Sequence, residues 1–158
     1  MDKKERKYYE KKYRHLNLYF DHGKGWDHLT LAAARDLDSY WPKWMPFWLK
    51  HLWVNSIGKG YRLTNFGVFL TKLKLDFLVN TPNKFLQIKE KFGELRLYTS
   101  GNHSKVISAL ESISYQTCEN CGSMSQIGHT SGWIFTLCKE CVTNSDKTLS
   151  NWKPDKNG

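Results

Sequence analysis

Apolar positions recur along this chain with two different periods, and the change of period marks its parts. Over residues 3–20, Tyr8, Tyr9, Tyr13, Leu16 and Phe20 return near helical spacing between charges of both signs, which predicts a helix. A glycine-rich break at residues 21–27 follows. Asp27 is then placed to cap a second helix, whose Leu29, Leu31, Ala32, Ala33 and Leu37 form one packed face before Asp38, Ser39 and Pro42 interrupt it. Residues 40–54 are dense in tryptophan. Trp41, Trp44 and Trp48 fall at i, i+3 and i+7, and Pro42 and Pro46 permit only a helix start there. Such large aromatics favour a core helix, with an interfacial one as the alternative. Beyond a loop at 56–62, Phe66, Phe69, Leu70, Leu73 and Phe77 predict a third helix. The alternation of Leu73, Leu75, Phe77 and Val79 leaves a strand open, and Thr81-Pro82-Asn83 makes a turn.

From residue 84 the period changes to two. Leu86 and Ile88, then Leu95 and Leu97, alternate with polar residues about a Phe92-Gly93 turn, predicting a β-hairpin over about 84–99. A helix at about 104–115 follows, capped by Ser104 or Asn102, with Val106, Leu110 and Ile113 on one face. The expected architecture is α+β. A mainly helical body with the hairpin occupies 1–113, a zinc ribbon 114–143 and a loosely held polar tail 144–158.

The ribbon rests on cysteine spacing. Cys118 and Cys121 are three positions apart, as are Cys138 and Cys141, with 16 residues between the pairs. Two such turns aim four sulfurs at one ion in tetrahedral coordination. Gly122 gives the chain room to turn away from the first pair, Gly128 and Gly132 bracket a turn, and Trp133 to Leu137 read as a strand into the second pair. A thioredoxin-like redox pair is disfavoured by the presence of two pairs without a surrounding βαβ pattern. Four thiolates close the shell, so the expected cofactor is one structural Zn2+ and not a catalytic metal with an open position.

Charge changes the picture next. The net charge is +9, and the aromatic share of 15% with a hydrophobic share of 40% excludes a disordered chain. A basic balance suits nucleic acid, an anionic membrane surface or an acidic protein, and is equally consistent with a solvated surface. Lys3, Lys4, Arg6, Lys7, Lys11, Lys12 and Arg14 cluster on the first helix, and Lys89, Lys91 and Arg96 on the hairpin. These are the candidate contacts to nucleic acid or another partner. The charged N-terminus lacks an apolar signal core and no run of about 18 apolar residues occurs, so a cytoplasmic protein without a membrane span is expected.

Other chemistry is sparse. Gly23-Lys24-Gly25 and Gly58-Lys59-Gly60 lack the remaining features of a phosphate-binding loop and read as turns. His28-Leu29-Thr30 and His129-Thr130-Ser131 would form a two-histidine phosphoesterase pair if the fold joined them.

Three blocks carry a resemblance: residues 23–29 (GKGWDHL), residues 87–98 (QIKEKFGELRLY), and residues 114–122 (SYQTCENCG) with Gly132-Trp133 and the second cysteine pair. In these the chain resembles small proteins of unknown function encoded by tailed bacteriophages and prophages. Relative to shorter members, residues 39–83 look like an insertion. The resemblance implies a role in the host cytoplasm of an infected bacterium and no catalytic residues. The expected function is non-catalytic binding to nucleic acid. The alternative is an effector that binds a host bacterial protein, and the third possibility is the phosphoesterase.

Overall fold

The computed structural model describes residues 1–41, 43, 45–46, 84–100, 104–145 and 151–155. Its architecture is α+β: N-terminal helices, a two-stranded antiparallel hairpin, a short helix and a C-terminal cluster of four cysteines. The third apolar run, most of the tryptophan-rich segment and the second Gly-Lys-Gly lie outside the described residues.

Helix α1 spans Lys3–Lys12. Asp2 and Glu5 form a reciprocal capping box, and Lys11 and Lys12 complement the dipole at the far end. The helix is shorter than its apolar period predicts. Tyr13 leaves helical geometry, residues Arg14–Leu16 make one 3-10 turn, and Asn17 adopts the left-handed conformation at φ 57. That break swings Leu16 and Leu18 into the core, where both are buried. Helix α2 spans Asp27–Ser39, entered through a 3-10 turn at Lys24–Trp26. Asp27 is not the cap. It sits in the first turn, and its buried carboxylate accepts from Arg6 at 2.7 and 3.1 Å and faces the Met1 amine at 3.2 Å. Its negative charge still favours the helix start. Trp41 and Met45, at the edge of the tryptophan-rich segment, are buried in the same core.

Strands β1 (Phe85–Lys91) and β2 (Glu94–Thr99) form the hairpin. Phe92 and Gly93 both have positive φ, 54 and 75, which matches the twist of a two-residue turn. The apolar face is Phe85, Ile88, Leu95 and Leu97, all fully buried. Leu86 is turned outward instead, because the register shifts between Phe85 and Gln87. Both edges of the hairpin are occupied by side chains. On the β1 edge, Asn17 donates to the Phe85 carbonyl at 3.1 Å and the Ile88 N–H donates to the Tyr19 hydroxyl at 2.8 Å. On the β2 edge, the Leu95 N–H donates to Ser114 Oγ and the Leu97 N–H to Glu111 Oε1. These two acceptors belong to helix α3, Lys105–Ser114, capped by Ser104. Its core face is Ile107, Leu110 and Ser114, whereas Val106 and Ile113 are exposed. Docking on the hairpin through Ser114 turns the helix by about one residue from the face its apolar pattern predicts.

The cysteine-rich module contains β3 (Ile127–His129), β4 (Thr136–Cys138) and α4 (Lys139–Thr143). Strand β4 starts at Thr136, three residues after the expected Trp133, which is exposed. Within the tail, residues 151–155 are described. Strand β5 (Lys153–Pro154) pairs with the free side of β3, and Trp152 donates to the Leu137 carbonyl at 3.0 Å.

Candidate metal centre and cationic surfaces

Two chain reversals build the centre. The Gly122 N–H donates to the Cys118 carbonyl and the Cys118 N–H to the Ser123 carbonyl, each at 2.8 Å, closing the first turn. Gly122 has φ +83, so the reversal uses a conformation that glycine adopts without steric cost. The second pair sits where β4 runs into α4. Cys138 caps that helix, its sulfur accepting from the Cys141 N–H at 3.4 Å.

The four sulfurs lie within 4.8 Å of one another, and Cys121 and Cys138 are 3.6 Å apart. A disulfide would need about 2 Å, and all four cysteines are free. Tetrahedral coordination with metal–sulfur bonds of about 2.3 Å places sulfurs about 3.8 Å apart, so the set fits one ion. Further donors point at sulfur: the Ser123 N–H toward Cys121 at 3.5 Å and Asn120 Nδ2 toward Cys141 at 3.4 Å. Burial opposes ionisation of Cys118, but the N–H groups of Cys138, Cys121 and Asn120 outweigh it and bring the thiol down to about 7. Cys141 is pushed upward, by burial first and then by its fellow thiols, and Cys121 is also raised, chiefly by burial. Burial thus opposes charge on Cys121 and Cys141, a cost that a bound divalent ion would offset.

The centre is joined to the body by the glycine-tryptophan block. The Gly25 N–H donates to the Glu119 carbonyl at 2.8 Å, and the fully buried Trp26 donates from Nε1 to the Thr117 carbonyl at 2.7 Å. A Cβ on Gly23 would stand 2.2 Å from the Glu119 oxygen, and one on Gly25 2.1 Å from the Cys118 oxygen. The two glycines therefore let one backbone lie against another. Gly23-Lys24-Gly25, read from sequence as a turn, is the seat of the first cysteine knuckle. Its Gly-x-Gly-Trp spacing was the visible signal. Glu119, between the cysteines, is held up at about 7 by burial and then by the charges of Glu90 and Cys118. A second joint lies at the hairpin tip, where Thr136 Oγ1 donates to the Gly93 carbonyl at 2.5 Å.

The cationic residues fall into two groups. Lys3, Lys4, Lys7, Lys11, Lys12 and Arg14 are exposed. Arg6 is engaged inward with Asp27 and the His22 carbonyl, and so serves the fold. On α1, Lys4, Lys7 and Lys11 share one face with the exposed Tyr8, opposite Tyr9 and the buried Tyr13. On the hairpin, Lys89 and Lys91 place Nζ 5.4 Å from the ring centres of Tyr98 and Phe92, and Arg96 pairs with Glu94.

The histidine motifs diverge. His28 is exposed, whereas Thr30 is buried and bonded at 2.7 Å to His22. His129 stacks on Tyr115, with Nδ1 2.9 Å from Asp155 and Nε2 3.2 Å from the Tyr115 carbonyl, so both ring nitrogens face acceptors of the fold. His22 is held neutral: Nδ1 donates to the Gly23 carbonyl and Nε2 accepts from Thr30, while burial pushes its pKa down. Among the described residues no helix is long and apolar enough to cross a membrane. No protein-family model, curated protein or solved structure matches the chain.

Proposed function

We propose that the protein is a non-catalytic nucleic-acid-binding protein whose fold is clamped by one zinc ion on Cys118, Cys121, Cys138 and Cys141. Zinc suits an all-thiolate tetrahedral shell. When bound it supplies structural cross-linking, since four protein sulfurs leave no position for water. The observation that carries the binding reading is the α1 face: Lys4, Lys7 and Lys11 project from one side of a capped helix, away from its buried Tyr13 side. Three such ammonium groups along two turns suit successive phosphates. The resemblance to phage-encoded proteins accords with action in a bacterial host.

Fluorescence anisotropy on labelled DNA and RNA across a salt series tests this. Affinity should fall with salt, and the triple change Lys4→Ala, Lys7→Ala, Lys11→Ala should flatten the log–log slope by about 0.9 per lost duplex phosphate contact. No measurable affinity at low salt, or an unchanged slope, would refute it. A second reading, docking on a host protein, draws on Trp133, exposed at 74% in the β3–β4 connection. Affinity capture from bacterial lysate would favour it by returning a stoichiometric partner that Trp133→Ala loses.

A further inference from the structure

We infer that the outward face of the β1–β2 hairpin takes an unpaired nucleic-acid strand, with Tyr98 and Phe92 stacking on bases and Lys89 and Lys91 meeting phosphates, while Arg96 stays paired with Glu94. The inference rests on the nucleic-acid reading above and names the class of strand. Pairing Ile88 with Leu97 in the core sends the flanking pairs, Lys89 with Arg96 and Gln87 with Tyr98, to the opposite face. That face combines rings with cations. Tyr98 is 43% and Phe92 70% exposed, and each carries a lysine ammonium 5.4 Å from its ring centre. A base replacing the ammonium over either ring frees the lysine to reach the adjoining phosphate, which is how sequence-tolerant single-strand sites combine stacking with charge. A duplex keeps its bases stacked inside and offers these rings nothing.

Phe92 supplies an independent observation. Its φ of 54 lies in the left-handed region, where a turn of this kind favours Asn or Asp ahead of glycine. A bulky aromatic there costs conformational energy, and its ring returns little burial. A strained, exposed ring beside a lysine is accounted for by a ligand that covers it. Edge pairing does not compete for this face, because both hairpin edges already bond to side chains.

The test compares the zinc-loaded 158-residue chain with Phe92→Asn and Tyr98→Thr, using fluorescence anisotropy on labelled oligothymidylate and on a duplex of equal length. Asparagine suits the turn and threonine suits a strand, so both variants retain the fold, and Phe92→Asn should melt at or above the parent temperature. Oligothymidylate should bind the parent more tightly than the duplex. Each variant should weaken that binding at least about fivefold while leaving duplex affinity within about twofold. Equal affinity for both forms, or oligothymidylate binding unchanged in both variants, would overturn the inference and leave the α1 reading standing. Absence of binding to either form would overturn both. Loss through the hairpin variants with no effect of the α1 triple change would keep the inference and remove α1.

Discussion

Replacing Gly25 with alanine adds one methyl group where the body meets the first cysteine knuckle. In open space the change would stabilise by about 0.4–1 kcal/mol, by restricting the unfolded chain. Here the new Cβ would stand 2.1 Å from the Cys118 oxygen, 2.6 Å from the Gly122 nitrogen and 2.8 Å from the Glu119 carbonyl carbon. All three atoms are backbone, so no side chain can swing away. Reaching even a 3.0 Å contact separates the two segments by about 1 Å. The Gly25–Glu119 hydrogen bond, 2.8 Å long, then opens, and the Trp26–Thr117 bond at 2.7 Å is strained with it. Overpacking costs about 1–3 kcal/mol and two weakened buried hydrogen bonds about 1 kcal/mol each, giving about 3–5 kcal/mol. For a chain of this size that lowers the melting temperature by about 6–20 °C. Melting of the zinc-loaded protein by circular dichroism, with zinc release to a chromogenic chelator, reads both the fold and the clamp. Gly132→Ala is the comparison: it has φ +83 but nothing within 4 Å, and should cost only about 1 kcal/mol. If Gly25→Ala melts within about 2 °C of the parent and releases metal at the parental rate, the knuckle does not depend on this seat and the reasoning fails.

Elemental analysis should find one zinc per chain, and Cys121→Ser should lose the metal and unfold residues 114–143; full metal retention with an unchanged melt would contradict the four-sulfur clamp. Thr136→Val removes the hydroxyl that donates to the buried Gly93 carbonyl and should cost about 1–3 kcal/mol, with faster hydrogen exchange at the hairpin tip; unchanged exchange would show that this joint carries no stability. His22 has a folded pKa below its ordinary 6.5, so below pH 6.5 the unfolded chain binds more protons than the folded one and stability falls with acidification until the folded pKa is passed. Denaturant melts of the parent and His22→Gln should therefore diverge in pH slope below 6.5, the variant being flatter; parallel slopes would mean the buried ring does not titrate with unfolding.

The α+β class, the hairpin with its Phe92-Gly93 turn and the four-cysteine set were legible because each is local. A two-residue turn between alternating strands and two pairs of sulfurs three positions apart define themselves over a few residues. Where tertiary contact decides, sequence reading missed by small steps. Helix α1 ends early because Asn17 turns left-handed to reach Phe85, 68 positions away. Helix α3 buries Ile107 and Ser114 because a serine hydroxyl, not an apolar group, docks on β2. Asp27 looked like a cap, but Arg6 and the Met1 amine claim its carboxylate. The pairing of Lys153–Pro154 with β3 was signalled by a single aromatic, Trp152, amid polar residues, and the knuckle seat by glycines whose partners lie more than 90 positions away.

The side chains that fill the flanks of the hairpin have a consequence for how this molecule keeps company. A ribbon of two strands ordinarily invites a third from any passing chain, and continuous stacking of that sort ends in fibres. Here Asn17, Tyr19, Ser114 and Glu111 act as selvedges that bind off the weave on either side. A visitor can settle on top of the cloth, but to be knitted in at either side it must first displace these side chains.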